Sequence, residues 1–283
     1  MTLMIFGQSG QVACELARRA PDAQFLGRAE ADLGDPAACA AAIHAARPTA
    51  VINAAAYTAV DRAEDEEALA TTINGAAPGA MAEACAALGI PFVHISTDYV
   101  FDGTGSAPFA PDHPTAPLGA YGRSKLAGER AVVAAGGAHV ILRTSWVVSA
   151  HGGNFVKTML RLSETRDRLT IVADQVGGPT AAGPIAAACL RGAEALIQDP
   201  ALTGIYHFAG APDVSWADFA RAIFAKAGRA TEVVDIPAAE YPTPARRPAN
   251  SRLDCSGLAA LGLIRPDWRA DLDTVLQDLG ALA

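Results

Sequence analysis

The chain is short of charge. Asp, Glu, Lys and Arg make up 18% of its 283 residues, against about 25% in an average soluble protein. The charge that is present is unbalanced, 22 basic against 30 acidic residues, for a net charge of -8. No overall positive field exists to draw in a nucleic-acid backbone or an anionic lipid surface, so neither partner is expected. The five cysteines, Cys14, Cys39, Cys85, Cys189 and Cys255, are scattered, odd in number and form no CxxC pair. That excludes a disulfide framework and a clustered zinc site, and makes a reducing cytoplasm the expected compartment. No apolar run approaches the roughly 18 residues of a membrane span, and Leu3 to Phe6 has neither the basic lead nor the length of a signal peptide. Repeats, charge blocks and low-complexity tails are missing too.

What remains is an apolar sequence, 51% hydrophobic, with 26 glycines and 18 prolines. Its length allows one large α/β unit or two domains at about 150 residues each. Short apolar runs at Thr2 to Phe6, Ala23 to Leu26, Ala50 to Ile52, Pro91 to Ile95 and Val140 to Leu142 read as strands. Helical segments separate them at about 11–19, 36–46, 67–88 and 121–135, with a bend expected where Gly75, Pro78 and Gly79 interrupt the third. This alternation predicts an α/β fold, a Rossmann-like doubly wound parallel sheet covered on both faces. Beyond Trp146 the rhythm loosens, with helices near 155–161, 184–197 and 216–227, strands at 169–172 and 204–208, and a shaped, proline-rich loop at 237–248. The expected division is a dinucleotide-binding domain over 1–145 and a smaller substrate-binding region over 146–283, interleaved with the first.

Three local patterns carry chemistry. Gly7-x-x-Gly10-x-x-Ala13 lies between a strand and a helix, where glycines permit a tight turn and backbone amides at the helix start can hold a pyrophosphate. The acidic ribose ligand expected about 20 residues on is replaced by Gly27 and Arg28; Arg28 suits a 2'-phosphate, and Asp32 falls late enough to face the adenine instead. NADPH or NADH is the expected cofactor. Tyr121 and Lys125 sit four apart on one helix, so a phenol and an ammonium share a face; the ammonium together with the nicotinamide charge is expected to lower the phenol pKa, with Lys125 also a ribose ligand. Ser96-Thr97-Asp98-Tyr99 follows an apolar strand and should emerge at the carboxyl edge of the sheet, with Thr97 beside Tyr121. Taken singly, each pattern also has an ordinary explanation: a strand-to-helix turn, a surface helix pair, a strand cap.

In combination, the Gly7 turn, the Asn53-Ala54-Ala55-Ala56 strand end, the Ser96-Thr97-Asp98 edge and the Tyr121/Lys125 pair resemble the extended short-chain dehydrogenase/reductase family. NAAAYTAVD from Asn53, STDYVFDG from Ser96, YGRSKLAGE from Tyr121, RTSWV from Arg143 and YPTPARRPANSRLD from Tyr241 are similar to one branch of it, which reduces the C4 ketone of dTDP-4-dehydro-L-rhamnose with NAD(P)H. The resemblance implies that Gly10, Gln11 and Val12 cover the pyrophosphate and that Asp32 and Leu33 flank the adenine. It further implies that Ala54, Ala56, Tyr57 and Thr58 line the cofactor path, that Tyr121 and Lys125 are the catalytic pair with Thr97 tuning the phenol, and that Thr97, Asp98 and Trp146 meet the nucleotide-sugar. Trp146 would offer a flat apolar face, and Arg246 and Arg247 are candidate diphosphate ligands or a solvated basic turn.

Some members of the family hold magnesium between glutamates at a dimer interface. Glu15 matches one such ligand, but the run from Pro179 to Pro184 has no glutamate for another, so no metal is expected and both monomer and homodimer stay open. His151 and His207 lie in no ligand-spaced cluster. A dehydratase on the same scaffold resembles a Thr-Asp-Glu arrangement; Tyr99 stands where the glutamate would be. The alternative from another class is a regulatory subunit that keeps the fold and binds a dinucleotide without catalysis.

Overall fold

Leu3–Phe6 (β1), Ala50–Asn53 (β3) and His139–Thr144 (β5) are buried along their whole length, as interior strands of a parallel sheet covered on both faces must be. The computed structural model describes residues 2–283. These strands join Gln24–Leu26 (β2), Phe92–Thr97 (β4) and Gly204–His207 (β10) in a six-stranded parallel sheet of order β10-β5-β4-β3-β1-β2. The Rossmann-like architecture expected from the alternation is therefore present.

Two apolar layers sandwich that sheet. On one face Gln11–Arg19 (α1) and Ala182–Gln198 (α7) bring Val12, Leu16, Ile185 and Cys189 against Leu3, Ile5, Ile52 and Leu142. On the other, Pro36–Ala46 (α2), Ala77–Leu88 (α4) and Ala120–Ala134 (α5) bring Cys39, Ile43, Met81 and Val132 against Met4, Phe6, Val51 and Ile141. Local chemistry sets the helix ends: Asp35 caps α2 by accepting from the Ala38 N–H at 3.1 Å, and Pro36 follows where its missing N–H costs nothing. The bend expected in the third helical segment is a widened turn. Glu67–Thr71 (α3) runs into a π-helical turn at Thr72–Ala76 and on into α4, whose first turn accommodates Pro78.

The second half of the chain returns to the sheet twice, through α7 and β10, and so is woven into the first. Its remaining strands are short. Val147–Val148 (β6) pairs with Thr180–Ala181 (β9), Arg168–Val172 (β7) with Glu232–Ile236 (β12), and Val176–Gly177 (β8) lies between Val214–Ser215 (β11) and Asn250–Ser251 (β13). Phe155–Ser163 (α6), Trp216–Lys226 (α8) and Trp268–Asp278 (α9) enclose a third apolar cluster containing Val156, Phe219, Ile223 and Leu272. Strand β12 and helix α9 have no counterpart in the sequence reading, because Glu232, Asp235 and Arg269, all exposed, and the half-buried Asp273 interrupt their apolar patterns with charge. Among the described residues no helix is long and apolar enough to cross a membrane.

From β1 the chain crosses through α1 to β2 on one side, while β3 lies on the other. The carboxyl ends of β1 and β3 thus face a crevice at the point where strand order reverses, the usual ligand position in such sheets.

Candidate active site

A cleft of about 800 Å³ opens along that edge. Its floor begins at Gly7, which leaves β1 with φ 116°, a conformation open to glycine, and packs on the Ala54 backbone. Gly10 then caps α1 with no side-chain hydrogen bond, and no acidic residue stands in the first turn. The positive end of the helix dipole and its free N–H groups are left for an anion in the cleft. Every dinucleotide-facing residue expected from the sequence lines this space: Gly7, Gly10, Gln11, Val12, Arg28, Asp32, Leu33, Ala54, Ala56, Tyr57 and Thr58. Arg28 is exposed just after β2, where the Glu30 carboxylate accepts from the neighbouring Gly27 N–H at 2.9 Å.

At the other end the cleft is lined by Thr97, Asp98, Tyr121, Lys125 and Trp146. Three elements bring these together: β4 ends in Thr97, a 3-10 turn follows at Asp98–Val100, and α5 starts at Ala120. Gly122 makes the approach possible, because a Cβ there would stand 2.2 Å from the Tyr99 carbonyl oxygen. The Tyr99 and Tyr121 rings consequently meet edge to face, centroids 5.5 Å apart. The Thr97 hydroxyl donates to Asp98 Oδ1 at 3.0 Å and accepts from the Tyr99 N–H at 3.2 Å, which fixes its position.

In the chain itself burial, and then the charge of Asp98, push the Tyr121 phenol above the ordinary tyrosine value, against the opposing Thr97 hydroxyl. Lys125 Nζ is turned to the Ile95 carbonyl at 2.6 Å and lies 3.3 Å from His94 Nε2. Burial lowers the ammonium to about 8, with Glu129 opposing, and His94 is held neutral by burial and by Lys125. Asp98 is raised to about 6 by burial, with Ser251 and Thr97 opposing.

Several supporting residues have no sequence signal. Glu129 on α5 holds Arg143 of β5 through two contacts, 2.9 and 2.7 Å, and accepts from the Ser96 hydroxyl at 2.5 Å, so a buried ion pair clamps the Tyr121 helix to β5 and the Ser96 hydroxyl ties it to the Thr97 strand. Asn74, in the π-helical turn, accepts from the Tyr57 N–H at 2.8 Å and donates to Ser124 Oγ at 3.0 Å. Gln11 accepts from Ser149 Oγ and Asn154 Nδ2, tying the glycine turn to the loop whose Gly152 and Gly153 also line the cleft. These partners are 14 to 143 positions apart, so only the fold reveals them.

Arg247 reaches the edge of the cleft beside the Tyr99 side chain, whereas Arg246 does not line it. Arg246 is exposed, and Arg247 donates to Asp61 Oδ2 at 2.7 Å while the Ala245 N–H takes Asp61 Oδ1 at 3.1 Å. The proline-rich loop is anchored by that carboxylate, which engages the guanidinium expected to meet a diphosphate. Trp146 lines the cleft, but one face is covered by Trp216, so the flat surface expected of it is half occupied. Glu15, the one residue resembling a magnesium ligand, is paired with Arg18, Arg19 and His151. Among the described residues no group of three His, Cys, Asp or Glu is placed to hold a metal ion, so this donor set does not fit one.

Comparison with known proteins agrees with this geometry. The family model described as "RmlD substrate binding domain" matches residues 1–281. A dTDP-4-dehydrorhamnose reductase of Sinorhizobium fredii is 47% identical over 278 residues, covering 95% of this chain and 94% of its own. Among solved structures, the dTDP-4-dehydrorhamnose reductase of Clostridium acetobutylicum superposes with TM-score 0.91 at 34% identity, over 99% of this chain and 100% of that one. The enzyme of the same name from Bacillus anthracis, in complex with NADP, gives TM-score 0.91 at 33% identity over 98% and 100%. The chain thus belongs to the dTDP-4-dehydrorhamnose reductase family.

Proposed function

We propose that the chain reduces the C4 ketone of dTDP-4-dehydro-L-rhamnose to the alcohol, giving dTDP-L-rhamnose, the last step of dTDP-rhamnose synthesis, with NADPH or NADH as reductant. The observation that carries the reading is one cleft with an uncapped helix start at one end and Thr97, Tyr121 and Lys125 at the other. The amides of Gly10, Gln11 and Val12 would hold the pyrophosphate and Arg28 a 2'-phosphate. Asp32 and Leu33 would flank the adenine, and Ala54, Ala56, Tyr57 and Thr58 would border the path to the nicotinamide. Thr97, Asp98 and Trp146 would meet the nucleotide-sugar.

Reduced nicotinamide supplies the hydride when bound. Tyr121 supplies the proton: a buried phenol beside a carboxylate stays protonated at neutral pH, and the alkoxide formed at C4 is a stronger base than the phenolate left behind. Thr97 would turn its one hydroxyl proton from Asp98 Oδ1 to the carbonyl oxygen, while the Tyr99 N–H keeps the hydroxyl oxygen in place beside that phenol. Lys125 presents a positive charge, held on α5 by the Ile95 carbonyl, toward the same end of the cleft.

The test follows reduced-nicotinamide absorbance with dTDP-4-dehydro-6-deoxyglucose, alone and together with the epimerase that converts it to the rhamno-configured ketone. NADPH should be consumed only when the epimerase is present. No consumption in either case overturns the assignment.

A further inference from the structure

Trp146 has a backbone conformation rare for a bulky residue, φ 49°. Strain of this kind persists only where surrounding contacts enforce it, and such positions concentrate at ligand sites. The contacts here are specific. The Trp146 carbonyl accepts from the Thr180 N–H at 3.1 Å, and the Ser145 hydroxyl donates to the Gly178 carbonyl at 2.8 Å. Above the ring lies Trp216, stacked with centroids 3.5 Å apart and planes 9° from parallel. Trp216 opens α8, where Ser215 caps the helix by accepting from the Asp218 N–H at 3.0 Å, and it is backed by Phe155 at 4.6 Å. It does not itself line the cleft.

Gly177 lies against the Nε1 edge of Trp146 and has no side chain to cover it. A Cβ at Gly177 would come within 3.0 Å of Cε2 and 3.1 Å of Nε1. Trp268, elsewhere in the fold, spends its Nε1–H on the Pro212 carbonyl at 2.7 Å, whereas no described residue accepts from Nε1 of Trp146. A donor kept unpaired in a polar cleft, on a ring immobilised from behind, is arranged for an external acceptor.

We infer that Trp216 is a positioning residue. By stacking on Trp146 it holds the strained indole so that the Nε1–H points into the cleft as a hydrogen-bond donor to the sugar portion of the nucleotide-sugar, and Gly177 keeps that edge open. Trp146 acts by its edge and not as a stacking platform. The inference rests on the proposed function and adds a residue outside the cleft to the machinery that selects the substrate.

Three variants test it, Trp216→Ala, Trp216→Phe and Trp146→Phe, with steady-state constants for the keto-sugar and for NADPH and far-ultraviolet circular dichroism on each folded protein. Two indoles stacked this closely give an exciton couplet in the wild type, and Trp216→Ala and Trp146→Phe should each abolish it. Trp216→Ala should raise the keto-sugar KM about tenfold, as loss of one oriented hydrogen bond does, with NADPH KM unchanged; Trp216→Phe should recover most of the loss. An unchanged keto-sugar KM in a folded Trp216→Ala protein, or equal rises for both substrates, overturns the positioning role. If Trp216→Ala does not fold, a wild-type keto-sugar KM in Trp146→Phe overturns it as well, since that ring lacks the donor. A wild-type enzyme inert toward the keto-sugar refutes the function itself, a result separable from either.

Discussion

Lys125 Nζ donates a 2.6 Å hydrogen bond to the carbonyl of Ile95, two residues before Thr97. The ammonium that shares a helix face with the proton donor is therefore fastened to the strand that carries the oxygen-orienting hydroxyl. One contact sets the spacing between the two halves of the site.

Removing the phenol tests the chemistry directly. Tyr121→Phe should cut kcat by about 10²- to 10⁴-fold, the usual contribution of a positioned acid, while NADPH still binds, as fluorescence titration would show. Near-normal turnover would eliminate Tyr121 as the donor.

The Lys125 ammonium, lowered to about 8, separates activity from stability. As pH rises through 8 the charge facing the cleft is lost, so kcat/KM should fall. Unfolded chains keep that lysine protonated up to about 10.5, so the unfolded state then binds more protons and stability should rise with pH between about 8 and 10.5. Comparing pH profiles of kcat/KM and of unfolding midpoint in wild type and Lys125→Met checks both signs. A wild-type profile flat through pH 8 would contradict the first.

Asp98 gives the opposite window. Its folded value of about 6 exceeds the ordinary 3.8, so the folded state takes up the proton first and gains stability as pH falls from about 6 toward 4. Asp98→Asn should raise the melting temperature at pH 8 and lose that advantage near pH 4. Calorimetry across that range would show it, and a destabilised Asn variant at pH 8 would count against burial as the cause.

Cofactor choice turns on Arg28. Arg28→Ala should raise NADPH KM by about tenfold, the scale of one charge-assisted contact, and leave NADH KM unchanged. Equal effects on both reductants would assign the discrimination elsewhere.

The Glu129–Arg143 pair is buried on both sides, 2% and 3% exposed. Replacing one partner strands the other charge, so Glu129→Gln should cost about 3–5 kcal/mol in denaturant unfolding. Because Glu129 also supports the Lys125 charge, the basic limb of the activity profile should shift to lower pH in the same variant.

What could be read from residue order alone was whatever depends on neighbours. The parallel strands follow from apolar runs such as Leu3–Phe6, which have to be covered on both faces. The glycine turn follows from Gly7 and Gly10 lying between strand and helix, and the Tyr121/Lys125 pair from helical spacing. The tertiary structure decided what depends on distant groups meeting. It turned the Lys125 ammonium to Ile95 and His94, and it buried the phenol beside Asp98. It tied Arg247 to Asp61 at the edge of the cleft, placed Asn74 in a π-helical turn under Tyr57, and set Trp216 behind Trp146. Pattern in a sequence reports which surfaces must be hidden; the direction of a charge and the partner of a buried polar group are settled only when segments far apart in the chain compete for the same space.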